Sequence, residues 1–460
     1  MKPMKKLSAL TAALVLAGCS QMPQYERPAA PVPGAFPYPS AQEGTPAIDL
    51  RWEQYFTDAR LRSLIASALR NNRDLRIAVL NIAQARAQYD IRNADKYPTV
   101  AFNASAARQP SFINNAPQQT TLYQANLAFS AWELDFFGRI ASLSESALQQ
   151  FLATEEGRNA AQMSLVANVA ATWLNLAADE ELLALTEQTL QTRAQSMDLM
   201  KLRFEQGVSS EIDFRLAQSL YETARASLAQ FQRQRAIDLN TLALLVGEPM
   251  DPRFEVQVTT ASVDLPDVPA GLPSEVLVRR PDVQQAEHLL MSANADIGAA
   301  RAAFFPRITL TAGVGTASAD LGGLFKGSAW GYTVIPSLAQ TVFDAGRNRA
   351  NLAATEVSRD IAVAQYERAI QQAFREVADA LAGRATYSEQ VRAQAAVVDA
   401  ESVRFRLAGL RYQNGVASTL DLLDAQRSLF SAQQDLVRVR LGRLQNQVQL
   451  YRSLGGGWNP

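Results

Sequence analysis

The residues with the widest chemical reach are few. Cys19 is the only cysteine in the 460-residue chain and His288 the only histidine. One cysteine excludes a disulfide within the chain and any cysteine-cluster metal site. His288 stands in RRPDVQQAEHLL, an amphipathic helical pattern. With no second histidine or cysteine to join it, it reads as a packing or surface residue rather than a ligand or base. The sequence contains no glycine-rich phosphate loop, no paired metal-ligand motif and no nucleophile–histidine pairing. Its Asp and Glu residues fall in helical patterns whose exposed faces account for them. Lys and Arg (44) nearly balance Asp and Glu (45), so charge does not point to nucleic acid. The expectation is a protein that is not an enzyme and holds neither metal nor organic cofactor.

What remains for Cys19 is covalent modification. MKPMKK is a basic leader, LSALTAALVL a short apolar core, and LAGC follows, which is the build of a signal peptide and too short for a stable span. Leu16-Ala17-Gly18-Cys19 resembles a bacterial lipobox, in which the cysteine is lipidated and becomes the first mature residue. Plain secretion with an incidental cysteine is the blander reading. Ser20, rather than Asp, follows the cysteine, which by the bacterial sorting rule resembles an outer-membrane lipoprotein. Loss of residues 1–18 removes Lys2, Lys5 and Lys6 and takes the net charge from −1 to −4. Acyl chains contribute about 0.8 kcal/mol per buried methylene, so several anchor firmly. Residues 19–50 then read as a lipid-anchored tether, because seven prolines between 23 and 46 exclude helix and favour extended chain.

An internal repeat organises the rest. Residues 202–213 (LRFEQGVSSEID) and 410–421 (LRYQNGVASTLD) share six of twelve identities. The same offset of 208 aligns Tyr97-Pro98 with Phe305-Pro306, Gly138-Arg139 with Gly346-Arg347, and Val169-Ala170 with Val377-Ala378. Shared helical composition alone would not align glycines and prolines. A tandem duplication follows, with halves at 51–258 and 259–460.

Each half begins with a helical stretch (57–95, 274–303) ended by Pro98 or Pro306. Residues 97–107, 109–132, 308–319 and 327–343 then contain no Asp, Glu, Lys or Arg. Within TTLYQANLAFSAW one alternate set is Tyr123, Ala125, Leu127, Phe129 and Ala131. The other is Leu122, Gln124, Asn126, Ala128 and Ser130. Period two with an apolar and a mostly polar face marks a strand. A soluble sheet, such as a sandwich insertion, would normally place charge on its wet side, whereas charge is costly facing lipid. Phe102, Tyr123, Phe129, Trp132, Phe325, Trp330, Tyr332 and Phe343 could form interfacial girdles. Two strands per half make four per chain. Four cannot close a membrane barrel, and an open edge is forbidden in lipid, so several chains must associate. Long helical patterns follow at 140–204 and 347–413, about 90 Å each at 1.5 Å per residue, and return through 209–246 and 417–454. They read as coiled hairpins or as the wall of a helical tube. Gly207 and Gly415 mark the two reversals. Duplicated tips suit a partner that reads them twice, although a plain helix turn would also use these residues.

LAGC at the leader, RRPD at 279–282, FFPRITL at 304–310, the Gly-Val tips, LLDAQRSLF at 422–430 and LGGGW at 454–458 together resemble the outer-membrane efflux factor family, the TolC-like channels, and most of all its lipidated OprM-like branch. The resemblance implies an α+β membrane protein that forms a homotrimer. Its twelve-stranded outer-membrane β-barrel, four strands per chain, would continue into a long periplasmic α-helical barrel. It implies a passive exit duct in a tripartite pump, with a periplasmic adaptor and an inner-membrane transporter of the proton-driven RND type as partners, carrying drugs or other small toxic compounds. Metal-ion export and one-step protein secretion remain alternatives for the same duct. A non-conducting periplasmic structural lipoprotein is the alternative of another class. In the family the helical tips touch the adaptor, which falls here on Gly207, Val208, Gly415 and Val416. The family constriction falls on Leu420, Asp424 and Arg427, whose spacings of four and three share one helical face. Their counterparts 208 residues earlier are Ile212, Leu216 and Ser219, so only the second half carries charge there. The expectation is an iris closed by a leucine ring and charge pairs, opened when the second hairpin shifts. A solvated Asp–Arg pair is the plainer reading of the same residues.

Overall fold

The computed structural model describes residues 20–39, 44–113 and 116–459. Cys19 and the leader before it lie outside the described residues. The principal elements run in the order α1 (Ala59–Asn71), α2 (Arg73–Ala94), β1 (Ala101–Ile113), β2 (Ala116–Glu133), α3 (Arg139–Glu205), α4 (Glu211–Val246), α5 (Pro281–Ala302), β3 (Arg307–Ser318), β4 (Trp330–Ala339), α6 (Arg347–Gln413) and α7 (Thr419–Ser453). The offset of 208 relates α2 to α5 and α3 to α6 residue for residue at both ends. The helical stretch expected at 57–95 is two helices. Asn72 breaks it, with its Oδ1 accepting from Leu75 N at 2.9 Å and capping α2, as Asn does when it competes with the helix for backbone groups.

The described residues form two compact units that cut across the repeats: those within Met1–Ala29, Asn81–Glu155 and Gln285–Tyr366 make one, and those within Ala30–Leu80, Glu156–Gln284 and Glu367–Pro460 the other. Each therefore draws on both halves of the sequence.

The first unit holds one antiparallel sheet in the order β1-β2-β3-β4. Registers Ala101↔Ala128 and Gly313↔Thr333 pair strands within each half, and Leu127↔Val314 joins the two halves. A bulge lies between Phe129 and Trp132, where Ala131 takes φ 52° and its N–H finds Thr311 Oγ1 at 3.0 Å. All ten residues of β4 are exposed. Trp330, Tyr332, Val334, Ile335 and Leu338 are among them. An apolar four-stranded sheet whose two outer edges are unpaired among the described residues is an incomplete structure. Among the described residues no helix is long and apolar enough to cross a membrane.

Near the sheet, α5 packs on the first turns of α3 through Ser146···Ser292 at 2.9 Å and Gln150–Ser292 at 3.1 Å. Residues 20–29 lie along α5. Asn294 donates to the Pro23 carbonyl at 2.9 Å, and Tyr25 and Arg27 both bond Glu287, at 2.9 and 2.6 Å. His288 bonds Gln149 at 2.7 Å.

The second unit is helical. Trp173, Leu174, Ala177, Ile370, Val377 and Leu381 fill its buried faces. Tyr55 stacks on Tyr451 with ring centroids 3.9 Å apart. The RRPD and LGGGW segments meet here. Buried Arg280 reaches Asp282 at 2.7 Å, Glu376 at 2.9 Å and the Ser453 carbonyl at 2.7 Å. Gly456 lies flat on the Tyr451 ring, where a Cβ would have no room. The later part of the proline-rich segment is also packed: Phe36 stacks on Phe374 at 5.1 Å, and Ala47 and Ile48 are buried.

Candidate functional site

The tips of the two hairpins, α3–α4 and α6–α7, are built by the same residues. Val208 N–H bonds the Arg203 carbonyl at 2.8 Å and Gly207 N–H the Phe204 carbonyl at 2.9 Å; Val416 to Arg411 and Gly415 to Tyr412 repeat this at 2.9 and 3.0 Å. This is a Schellman ending, which needs a left-handed residue after the helix. Gly207 and Gly415 supply it, at φ 70° and 72°. Ser210 and Ser418 then cap α4 and α7 in capping boxes with Asp213 and Asp421. The geometry thus accounts for the repeated glycine, serine and aspartate as turn chemistry. It does not account for the side chains of Val208 and Val416, each 66% exposed. Ile212 and Leu420 stand exposed one turn further on.

Along α7 two faces separate. Leu423 and Phe430 point into the helices of the first hairpin. Leu423 is buried with Met200, Ala217 and Leu220, against which Met197, Leu216 and Tyr412 pack. Phe430 lies under the Arg193 guanidinium, 4.9 Å from its centroid, and Arg193 donates to the Leu220 carbonyl at 2.7 Å. Tyr412 joins the hairpins again, by a hydrogen bond with Arg203 and a 3.8 Å contact to Met200 Sδ. Leu420, Asp424 and Arg427 form the adjoining, more exposed strip of the helix. Arg427 Nη2 meets Asp424 Oδ1 at 2.5 Å.

Asp424 has a second partner that sequence reasoning missed. Arg404, on α6, bonds its other carboxylate oxygen and is itself tied to Glu401 at 3.0 Å. The four side chains form one chain of alternating charge, Glu401–Arg404–Asp424–Arg427, that binds α6 to α7. The hydrogen bond from Arg404, followed by the charges of Arg427 and Arg404, holds the Asp424 carboxyl below the usual carboxylate range. The repeat contained the signal: at minus 208, Arg404 corresponds to Ser196 and Glu401 to Arg193. Leu216, the counterpart of Asp424, packs in the apolar cluster instead. A groove of about 590 Å³ opens beside Arg404, lined by Val403, Leu407, Arg411, Ala417 and Asp421.

Among the described residues, no three His, Cys, Asp or Glu side chains converge as a metal site would require.

The profile of the outer membrane efflux protein family matches residues 64–248 and again 272–456. The antibiotic efflux pump outer membrane protein ArpC of Pseudomonas putida is 44% identical over 461 residues, covering 98% of this chain and 95% of its own length. The toluene efflux pump outer membrane protein TtgC, also of Pseudomonas putida, matches with the same identity and coverage. Among solved structures, the open state of the MtrE outer membrane channel of Neisseria gonorrhoeae superposes with a TM-score of 0.89 at 40% identity, over 96% of this chain and 99% of that one.

Proposed function

The chain belongs to the outer membrane efflux protein family, and we propose that three copies of it form the exit duct of a tripartite pump that expels drugs and other small toxic compounds. Three sheets of four strands close a twelve-stranded barrel, which removes the open edges that lipid forbids. Relatives named for toluene and for antibiotics support a cargo of small, mostly apolar molecules. The duct moves them passively, and an inner-membrane RND-type transporter supplies the drive. The periplasmic adaptor docks on the tips, where the Val208 and Val416 side chains stand exposed with no role in the turn, beside the groove between α6 and α7. Cys19 carries the lipid. The protein performs no catalysis and uses no cofactor.

The single observation behind a gate is the charged chain Glu401–Arg404–Asp424–Arg427, present in the second hairpin and replaced by Arg193, Ser196, Leu216 and Ser219 in the first. Symmetry about a pore axis would bring three Asp424 carboxylates and three Leu420 side chains together. The carboxylates would repel one another without their arginines and would favour cations. Opening requires α7 to part from α6, which breaks the Arg404–Asp424 bond. Asp424→Ala raises single-channel conductance in planar bilayers. Conductance equal to that of the native protein would remove these residues from the gate.

A further inference from the structure

Two carboxylates face one another inside the first hairpin, well away from the tip. Asp179 on α3 and Asp238 on α4 are 6% and 9% exposed. Among the described residues the Asp179 Oδ2 atom meets no donor, and the side-chain donor on Asp238 is Gln234, at 3.3 Å. The charged neighbours do not neutralise the pair. Arg235 on α4 is taken by Glu180 at 2.6 Å and by the Phe254 and Pro252 carbonyls at 2.6 and 3.3 Å. Glu181 on α3 is held by Thr260 at 2.8 Å and by Arg440 of α7 at 3.8 Å. Two buried anions in hydrogen-bond reach, with no free cation beside them among the described residues, are unstable, and a proton is the simplest remedy.

The second hairpin shows what the site looks like without that need. At plus 208, Asp179 is Tyr387 and Asp238 is Asn446. Asn446 donates to the Ala380 carbonyl at 2.9 Å and fits over Gly383, while the Tyr387 ring rests on Gly442. The same place between two helices is filled by neutral, hydrogen-bonded packing in one copy of the repeat and by two acids in the other.

We propose that Asp179 and Asp238 form a proton-binding site that holds one proton between them at and below neutral pH, and that this shared proton clamps α3 to α4. Burial, then the charge of Asp238 and the hydrogen bond with it, push the Asp179 carboxyl up to about 7. The folded protein therefore binds this proton more tightly than the unfolded chain, so the contribution is full below an ordinary carboxylate pKa and is lost as pH rises through about 7. On losing the proton, both carboxylates are charged, and the first hairpin loosens along its middle.

The test is infrared titration of the full-length protein in detergent. A protonated-carboxyl band is present at pH 6 and disappears with a midpoint near 7. Asp179→Asn removes it. Asp238→Asn, which installs the residue type found at 446, lowers the midpoint by about one pH unit or more, because it removes the like charge. If Asp179→Asn fails to fold, Asp238→Asn carries the test alone. Hydrogen exchange corrected for intrinsic rate reads the clamp: peptides spanning 170–190 and 228–242 lose protection above pH 8 in the native protein and keep it in Asp238→Asn. No band titrating between about pH 6 and 8, or a midpoint that Asp238→Asn leaves unmoved, overturns the shared proton. Equal protection across that range in both proteins overturns the clamp.

Discussion

Leu423→Ala separates the anchoring of α7 from its charges. Leu423 is 2% exposed and packs with Met200, Ala217 and Leu220 of the first hairpin, beside the more exposed strip of α7 that carries Leu420, Asp424 and Arg427. Truncating a buried leucine costs about 2–5 kcal/mol. The neighbours Met197 and Tyr412 are only partly buried and can close over the gap, so the low end, about 2 kcal/mol per chain, applies. If opening takes α7 off the first hairpin, that contact is lost in the open state anyway, and its removal favours opening by up to roughly 30-fold per chain. The ion pairs at Asp424 stay intact in this variant. Planar-bilayer recording would show longer and more frequent open events with unchanged selectivity, alongside a lower melting temperature. A variant that melts earlier but gates like the native protein would refute the reasoning, because it would mean that the Leu423 contact travels with α7 when the pore opens.

Other consequences are equally direct. Val208→Asp with Val416→Asp leaves the turns intact, since neither side chain takes part in them, and abolishes adaptor binding in a pull-down while thermal stability changes by less than about 0.5 kcal/mol. Gly456→Ala forces a methyl group into the Tyr451 ring against which the C-terminal segment lies and lowers the melting temperature, an overpacking cost of about 1–3 kcal/mol. Asp424→Ala raises conductance, and Arg404→Ala does so more than Arg427→Ala, because only Arg404 joins Asp424 to a different helix; equal effects would show that the link between helices is not what closes the pore.

Much of the fold could be read from the chain because its constraints are local or repeated. Long runs without charge located the four strands, closely for β3 and β4 but not for β1, which continues through Arg108 to Ile113, because one long side chain can sit in a strand where a charge-free window must end. Glycine and proline fixed the helix ends at 139, 205, 347 and 413 within a residue or so, and a duplicated sequence doubled each signal. What escaped notice was long-range. The proline-rich segment reads as a tether, yet Tyr25, Arg27 and Phe36 tie it down through Glu287 and Phe374, residues more than 250 positions away. No periodicity reports such a contact. Arg404 was not legible because spacing along one helix cannot report an ion pair that crosses between two. Asn72 ended a helix whose apolar pattern ran on without interruption. The repeat, compared residue by residue, would have exposed Arg404, because the two halves differ where their environments differ.

The sheet of one chain ends in two edges that no described residue pairs, so strands from several chains must complete a single barrel. Single-particle imaging of the protein purified in detergent tests it most directly. Averages with three-fold symmetry around a hollow interior are the predicted result, and a population of single chains with no axis of symmetry would contradict it.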